Sequence, residues 1–206
     1  LTNAKIIAKK LIEKYRFEDN RVKVISQTVP IGIKNLNQKI EFKDFKLPKK
    51  YIFYPAMYLP HKNHKYVIDV INELKIKNKI GLGAVFCGDD KGYLKDLKSY
   101  VDKLNLNNEI LFLNFVSFEQ LAYLYQNSFA LTMPTFSGPT NIPPWEAFYF
   151  KKPVFYSNIF NINQEYKDSV FYIDPFNEKT LVDGLIELDE NPDLYKEFCN
   201  KGSAMI

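Results

Sequence analysis

A lysine that follows a strand-like run is the first candidate for binding chemistry. Lys62 lies between the apolar run 51–54 and a helix-like stretch that begins near Asn63. Free backbone N–H groups and the helix dipole favour an anion at such a helix start, so a cation beside it indicates an anionic ligand between the two. A solvent-facing lysine in a loop explains the same residue equally well, and local chemistry leaves both interpretations open.

The loop after the apolar run 129–133 contains the densest group of residues suited to a sugar phosphate. Gly138, Thr140 and Asn141 lie in it, and two prolines then open a helix. Proline costs little in the first turn of a helix, because the N–H groups there have no partner within the helix. A helix start lined with small groups favours an anionic ligand, and this loop suggests a phosphorylated sugar.

Glu146 lies near the first turn of the same helix. A carboxylate at that position interacts favourably with the helix dipole by roughly 0.3–1 kcal/mol, which is reason enough for a glutamate there. A carboxylate can also accept hydrogen bonds from two hydroxyl groups of a ribose. The local sequence favours neither interpretation over the other.

Several other motifs carry no chemistry. His61 and His64 have no cysteine or carboxylate cluster nearby, so capping or packing is favoured over metal binding. The glycines of the run 81–83 precede a strand, whereas a dinucleotide fingerprint must follow one. Cys87 and Cys199 show no metal-ligand spacing and fit a reducing compartment. The sequence therefore predicts no metal site.

The elements that must position these residues alternate between strand-like and helix-like patterns. Alternation of this kind predicts an α/β fold, a Rossmann-like doubly wound parallel sheet flanked by helices. In such sheets ligands bind at the carboxyl ends of the strands, near a switch in strand order. The predicted strands are 22–25, 51–54, 84–87, 110–113, 129–133, 153–156 and 170–173, and the predicted helices are 2–15, 63–75, 93–104, 118–126, one that ends at 150, 178–188 and 193–199.

Composition excludes several classes of protein. The chain has 206 residues, of which 46% are hydrophobic and 25% charged, which is ordinary for a globular domain and excludes a disordered or disulfide-scaffold protein. The net charge is +4, from 26 scattered lysines and two arginines against 24 acidic residues. Nucleic-acid-binding proteins usually concentrate basic residues on one face. A solvated lysine-rich surface is therefore favoured, with attraction to an anionic membrane or a phosphorylated ligand as the alternative.

These segments together resemble the C-terminal, nucleotide-binding domain of family-four retaining glycosyltransferases, which have the GT-B architecture. The resemblance extends over nearly the whole chain. It includes the run 22–30, the strand end at 86–89, and the loop 113–117 with Tyr125 in the helix that follows. Its most specific part is the stretch 138–154. The resemblance implies that residues 1–206 form one half of a GT-B fold.

The stretch 138–154 both matches the family and departs from it. The family carries two glutamates separated by seven residues, and Glu146 matches the second, which holds the donor's ribose. Gly138 stands where the family has the first, so that carboxylate is absent. Lys62 matches the family's diphosphate lysine, but Met57 replaces a basic residue expected five positions earlier. Lys151 replaces a glycine of a Gly-x-Pro-Val turn.

The remaining site residues follow from the resemblance alone. It implies that Gly138, Thr140 and Asn141 line the side of the donor sugar and diphosphate, and that Val116 and Ile142 contact the nucleotide. It identifies no catalytic residue. The acceptor site would lie in a preceding domain outside this chain, which begins with Leu1 rather than methionine and carries no signal peptide.

The function implied is that of the donor-binding half of a hexosyl-transferring enzyme. We expect a UDP- or GDP-sugar as donor, and a growing surface polysaccharide or glycolipid as acceptor. The enzyme would act in the cytoplasm, including the inner face of the membrane, with no nucleic-acid partner. A lysine and a helix start can balance the departing diphosphate, so we expect neither a metal nor an organic cofactor. The alternatives are a sugar-nucleotide epimerase of the same architecture and a non-catalytic module that binds a nucleotide or a partner.

Overall fold

Six parallel strands form one sheet in the computed structural model, which describes residues 1–2, 5–25, 28–34, 46–137, 141–159 and 166–206. Their order is β3-β2-β1-β4-β5-β6, so the order reverses between β1 and β4. Such a reversal marks the switch point of a doubly wound sheet, where a crevice opens at the carboxyl ends of the strands. The strands are β1 (Tyr51–Pro55), β2 (Gly83–Cys87), β3 (Ile110–Leu113), β4 (Ala130–Met133), β5 (Val154–Ser157) and β6 (Phe171–Ile173).

The helices cover both faces of this sheet. Side chains 51–54 of β1 point alternately to the two faces and all four are buried, as expected of a central parallel strand. The predicted α/β fold with a doubly wound parallel sheet is therefore confirmed. The helices are α1 (Lys5–Tyr15), α2 (Ile31–Lys34), α3 (His64–Lys77), α4 (Leu94–Lys103), α5 (Phe118–Asn127), α6 (Pro143–Tyr149), α7 (Lys179–Glu190) and α8 (Pro192–Ser203), with 3₁₀ turns at Asp19–Arg21 and Pro60–Lys62.

Local sequence explains where the helices near the crevice begin. Ser117 and Gln120 form a capping box at the start of α5, in which each side chain bonds the backbone N–H of the other residue. Two prolines occupy the first positions of α6, where no intrahelical N–H is lost. In the described part of the chain, no helix combines the length and the apolar sequence needed to cross a bilayer.

The predicted strand at 22–25 is wrong. Within that run, Val24 makes a single parallel bridge with Thr2, outside the six-stranded sheet. The reason is burial: Val24 and Ile25 are both exposed, and a β-branched run forms a stable strand only where a sheet can pack its side chains. Residues 31–34 form a short helix outside the predicted elements, and residues 35–45 lie outside the described residues.

The loops that follow β1 and β2 approach each other closely. The Tyr58 N–H donates to the carbonyl oxygen of Asp89 at 3.0 Å, which joins the segments that follow β1 and β2. A Cβ atom on Gly88 would lie 2.3 Å from the carbonyl oxygen of Ala56. Only glycine therefore allows the backbones to come this close.

Gly88→Ala is expected to destabilise the protein, because the added methyl group would meet backbone atoms of Ala56 rather than a movable side chain. Overpacking of this kind costs roughly 1–3 kcal/mol. Urea unfolding followed by circular dichroism measures the change in the free energy of unfolding.

Gly81→Ala is the matched control, since no heavy atom lies within 4 Å of a Cβ at that position. Its free energy of unfolding should stay within about 0.5 kcal/mol of the parent value. Equal stabilities of the two variants would contradict the close approach at Gly88.

Candidate functional site

The loops after β1 and β4 lie side by side at the switch point. The Phe136 N–H donates to the carbonyl oxygen of His61 at 2.9 Å, and the Thr135 hydroxyl lies 3.3 Å from the same oxygen. That hydroxyl also donates to the carbonyl oxygen of Ser137 at 2.8 Å. These hydrogen bonds hold the two walls of the crevice together where doubly wound sheets bind their ligands.

Lys62 is a half-buried cation on the first of these walls. It ends the 3₁₀ turn after β1, and its carbonyl oxygen accepts a hydrogen bond from the Tyr54 hydroxyl at 2.7 Å. Burial lowers the pKa of its ammonium group, and no carboxylate of the described residues forms an ion pair with that group. A partly desolvated charge without a partner is unfavourable, so an anion bound beside Lys62 would stabilise it.

Asn63 holds the lysine loop to its neighbours. Its backbone has φ 58° and ψ 39°, in the left-handed region that asparagine tolerates better than most residues. Its side-chain amide donates to the carbonyl oxygens of Pro134, at 3.2 Å, and Pro175, at 3.0 Å. Asn63 thus ties together the segments that follow β1, β4 and β6, a role that the sequence analysis missed.

His64 begins α3 and packs in an aromatic cluster, in line with the interpretation that favoured packing over metal binding. Its ring lies 4.9 Å from that of Tyr54 and 5.2 Å from those of Tyr58 and Phe86. Burial lowers the pKa of His64 to about 3, and the nearby charge of Lys62 acts in the same direction. The imidazole is therefore neutral at physiological pH.

Glu146 is a buried carboxylate on the second wall of the crevice. It lies in the first turn of α6, and its Oε2 accepts a hydrogen bond from the Tyr125 hydroxyl at 2.6 Å. Burial raises the pKa of Glu146, and the bond from Tyr125 acts in the opposite direction. The sequence pattern indicates Glu146 but not its protein partner, because the hydrogen bond joins two helices separated by a strand.

A cavity of about 820 Å³ adjoins the carboxyl ends of β1, β2 and β3. Val116, which the sequence analysis assigned to the nucleotide, lines it together with Phe115 and Phe118. Met57, which stands in place of an expected basic residue, also lines it, and Phe115 is 89% exposed. Apolar walls of this kind suit a flat, weakly polar group such as a nucleobase.

The other predicted site residues lie at the entrance to α6. The side-chain amide of Asn141 donates to the Tyr156 hydroxyl, and the backbone carbonyl oxygen of Asn141 accepts a hydrogen bond from the Tyr166 hydroxyl at 3.3 Å. Ile142 precedes α6 and is partly exposed. Residues 138–140, which include Gly138 and Thr140, lie outside the described residues.

The structure therefore brings the selected residues to one edge of the sheet from separate segments. Lys62 follows β1, Val116 follows β3, and Asn141, Ile142 and Glu146 follow β4. Within the described ranges, histidine, cysteine, aspartate and glutamate side chains form no group of three or more that could hold a metal ion. A cation, a carboxylate and an apolar cavity thus lie along the same edge of the sheet.

Comparisons with known proteins point to one family. The model of the family described as glycosyl transferases group 1 matches residues 37–205. The chain is 26% identical over 200 residues to RfbU, the O-antigen chain mannosyltransferase of Salmonella typhimurium strain LT2. That match covers 97% of this chain and 53% of RfbU, so the chain spans about half the length of this curated relative.

Solved structures of glycosyltransferases share the fold. A glycosyltransferase from Rickettsia africae superposes with a TM-score of 0.80 at 17% identity, over 98% of this chain and 56% of that one. Anabaena HepE, solved in complex with UDP-glucose, superposes with a TM-score of 0.68 at 16% identity, over 99% of this chain and 48% of that one. The chain therefore has the fold of part of each of these proteins.

His64→Phe should flatten the pH dependence of stability below pH 7. The unfolded state binds a proton near pKa 6.5, the ordinary value, whereas the folded state binds it only near pH 3. The contribution of His64 is therefore present above pH 6.5, and it is lost as the pH falls from 6.5 toward 3. Urea unfolding at pH 7, 6 and 5 gives the slope for parent and variant. Equal slopes would show that the folded protein protonates His64 readily.

Proposed function

The chain belongs to the glycosyl transferases group 1 family, and we propose that residues 1–206 are the domain of such an enzyme that binds the nucleotide-sugar donor. The proposed donor is a sugar linked to UDP or GDP. The observation that carries this proposal is the pair of side chains on the two walls of the switch-point crevice. Lys62 is a half-buried cation without a described carboxylate partner, and Glu146 is a buried carboxylate.

Lys62 is proposed to bind the diphosphate. Burial removes water that would stabilise the charged form of Lys62, and a contact between its ammonium group and a phosphate would stabilise that form instead. The lysine also lies two residues before His64, the first residue of α3, whose free N–H groups favour the same anion. Because these groups can balance the charge that leaves with the nucleotide, metal-independent transfer is part of the proposal.

The base and the ribose are proposed to occupy the rest of the crevice. The apolar cavity with Val116 would take the base, and Glu146 would accept hydrogen bonds from the ribose hydroxyls. The family resemblance adds Ile142 to the nucleotide contacts and directs Asn141, with the loop before it, toward the donor sugar. The structure of HepE with UDP-glucose supports this class of ligand for the fold.

The reaction is proposed to be retaining transfer of a hexosyl group to a growing surface polysaccharide or glycolipid. The similarity to RfbU, an O-antigen chain mannosyltransferase, supports both the sugar type and the acceptor type. Because the chain spans about half of RfbU, we place the acceptor site in residues outside this chain. The cytoplasm, including the inner face of its membrane, is the proposed location.

Lys62→Ala should weaken binding of UDP or GDP about tenfold or more, since a hydrogen bond to a charged group is worth about 1.5–3 kcal/mol. Binding of uridine or guanosine should hardly change, because a nucleoside has no phosphate for the lysine to contact. Isothermal titration calorimetry with all four ligands measures the difference.

The exposed Lys95, on α4, provides the control Lys95→Ala, which should bind all four ligands like the parent. Equal losses of nucleoside and nucleotide binding in Lys62→Ala would indicate that the lysine only supports the fold. A loss confined to the diphosphates supports the proposed site.

The 206-residue chain should bind UDP or GDP without transferring sugar. Its described residues form a six-stranded sheet with a buried core. Transfer also requires the acceptor to be held against the donor, and such positioning can lower the barrier by about 7–11 kcal/mol. Calorimetry and a radiolabelled sugar-transfer assay test the two statements, and a longer protein that includes the preceding residues should regain transfer. Transfer by this chain alone would contradict the half-enzyme assignment. Failure to bind either nucleotide would favour a module that only binds a partner.

A further inference from the structure

We propose that Tyr125 is a positioning residue whose hydroxyl orients the Glu146 carboxylate and thereby makes the site select ribose over deoxyribose. This inference rests on the proposed function, which assigns Glu146 to the ribose of the donor. Tyr125 itself would not contact the ligand. Its effect would pass through one hydrogen bond between α5 and α6.

The bond between Tyr125 and Glu146 is short and buried. The hydroxyl lies 2.6 Å from Oε2, Tyr125 is fully buried, and Glu146 is only 6% exposed. A hydrogen bond to an ionised carboxylate is about twice as strong as one between neutral groups. The terminal torsion of a glutamate is otherwise broad, so a single strong donor at Oε2 determines how the carboxylate plane is turned.

Two aromatic rings restrict the movement of the Tyr125 ring. Phe150 stacks on it with ring centroids 5.6 Å apart and planes 15° apart. Phe53 of β1 meets it edge-on at 4.9 Å. The hydroxyl is therefore fixed by the core of the sheet, which makes it a rigid reference point for Glu146.

The second carboxylate oxygen remains for a ligand. Among the described residues, the hydrogen bond from Tyr125 goes to Oε2, and no hydrogen bond is made to Oε1 of Glu146. A ribose presents two neighbouring hydroxyl donors, whereas a 2′-deoxyribose presents one at this position. A carboxylate held in one orientation can accept hydrogen bonds from both hydroxyls. Removal of one hydroxyl should therefore weaken ligand binding more than it would with a carboxylate that turns freely.

Tyr125 also favours the charged form of the carboxylate. Burial raises the pKa of Glu146, and the hydrogen bond from Tyr125 opposes that change. An ionised carboxylate is the better acceptor for hydroxyl groups. Orientation and ionisation thus depend on the same contact.

The test compares Tyr125→Phe with Tyr51→Phe. The Tyr51 hydroxyl is also buried, and it donates to the carbonyl oxygen of Leu124 at 2.9 Å, next to Tyr125 on α5. Its loss removes a similar hydrogen bond without touching Glu146. Calorimetry gives the affinities of the 206-residue chain for UDP and GDP and for their 2′-deoxy counterparts.

The parent should prefer the ribonucleotide about tenfold. Tyr125→Phe should reduce this preference at least threefold, and Tyr51→Phe should preserve it. An unchanged preference in folded Tyr125→Phe would overturn the positioning role. If that variant does not fold, Phe150→Leu, which retains the hydroxyl but loosens the Tyr125 ring, should reduce the preference, and an unchanged preference would overturn the role equally.

Glu146→Gln separates this proposal from the proposed function. If Glu146→Gln abolishes the ribose preference and Tyr125→Phe does not, the donor site stands and the positioning role fails. If the parent shows no ribose preference, or Glu146→Gln leaves it intact, Glu146 does not bind the ribose. Both the positioning role and the ribose assignment then fail together.

Discussion

The side-chain amide of Asn63 joins three segments that the sheet alone would leave apart. Its two hydrogen bonds, to Pro134 and Pro175, link the segments after β4 and β6 to the one after β1. The left-handed backbone at Asn63 turns the chain from the 3₁₀ turn into α3, and it therefore also sets the position of Lys62. Glycine could adopt this backbone but could not make the two bonds, and most other residues could do neither. The geometry of the crevice depends on this one residue.

Strand order explains why residues far apart in sequence meet in one site. The reversal between β1 and β4 marks the switch point, and Lys62 follows one of these strands while Glu146 follows the other. The apolar cavity lies on the β2 and β3 side, where Gly88 lets the loops approach closely. The charged side chains and the apolar cavity thus lie at different places along the edge of the sheet.

The sheet could be predicted from the sequence because buried parallel strands are continuous apolar runs. In the helices between them, apolar residues recur every 3.6 positions. It failed at 22–25, where a β-branched run has no neighbouring sheet on which to pack. Lys62 and Glu146 could be selected because each follows a strand. The roles of Asn63 and Tyr125 could not, because their partners are distant in the chain: the Asn63 amide reaches residues 71 and 112 positions away. Contacts of that kind follow from topology rather than from local pattern.

The shared acceptor at His61 has a thermodynamic consequence for any ligand that enters the crevice. Because Phe136 and Thr135 both approach that carbonyl oxygen, residues 61 and 135–136 of the segments after β1 and β4 are already ordered in the folded protein. Fixing the backbone of one residue costs about 1–2 kcal/mol of conformational entropy. At these residues that entropy is lost on folding and not on ligand binding. Association then loses less entropy at these segments, so more of the interaction energy appears as affinity.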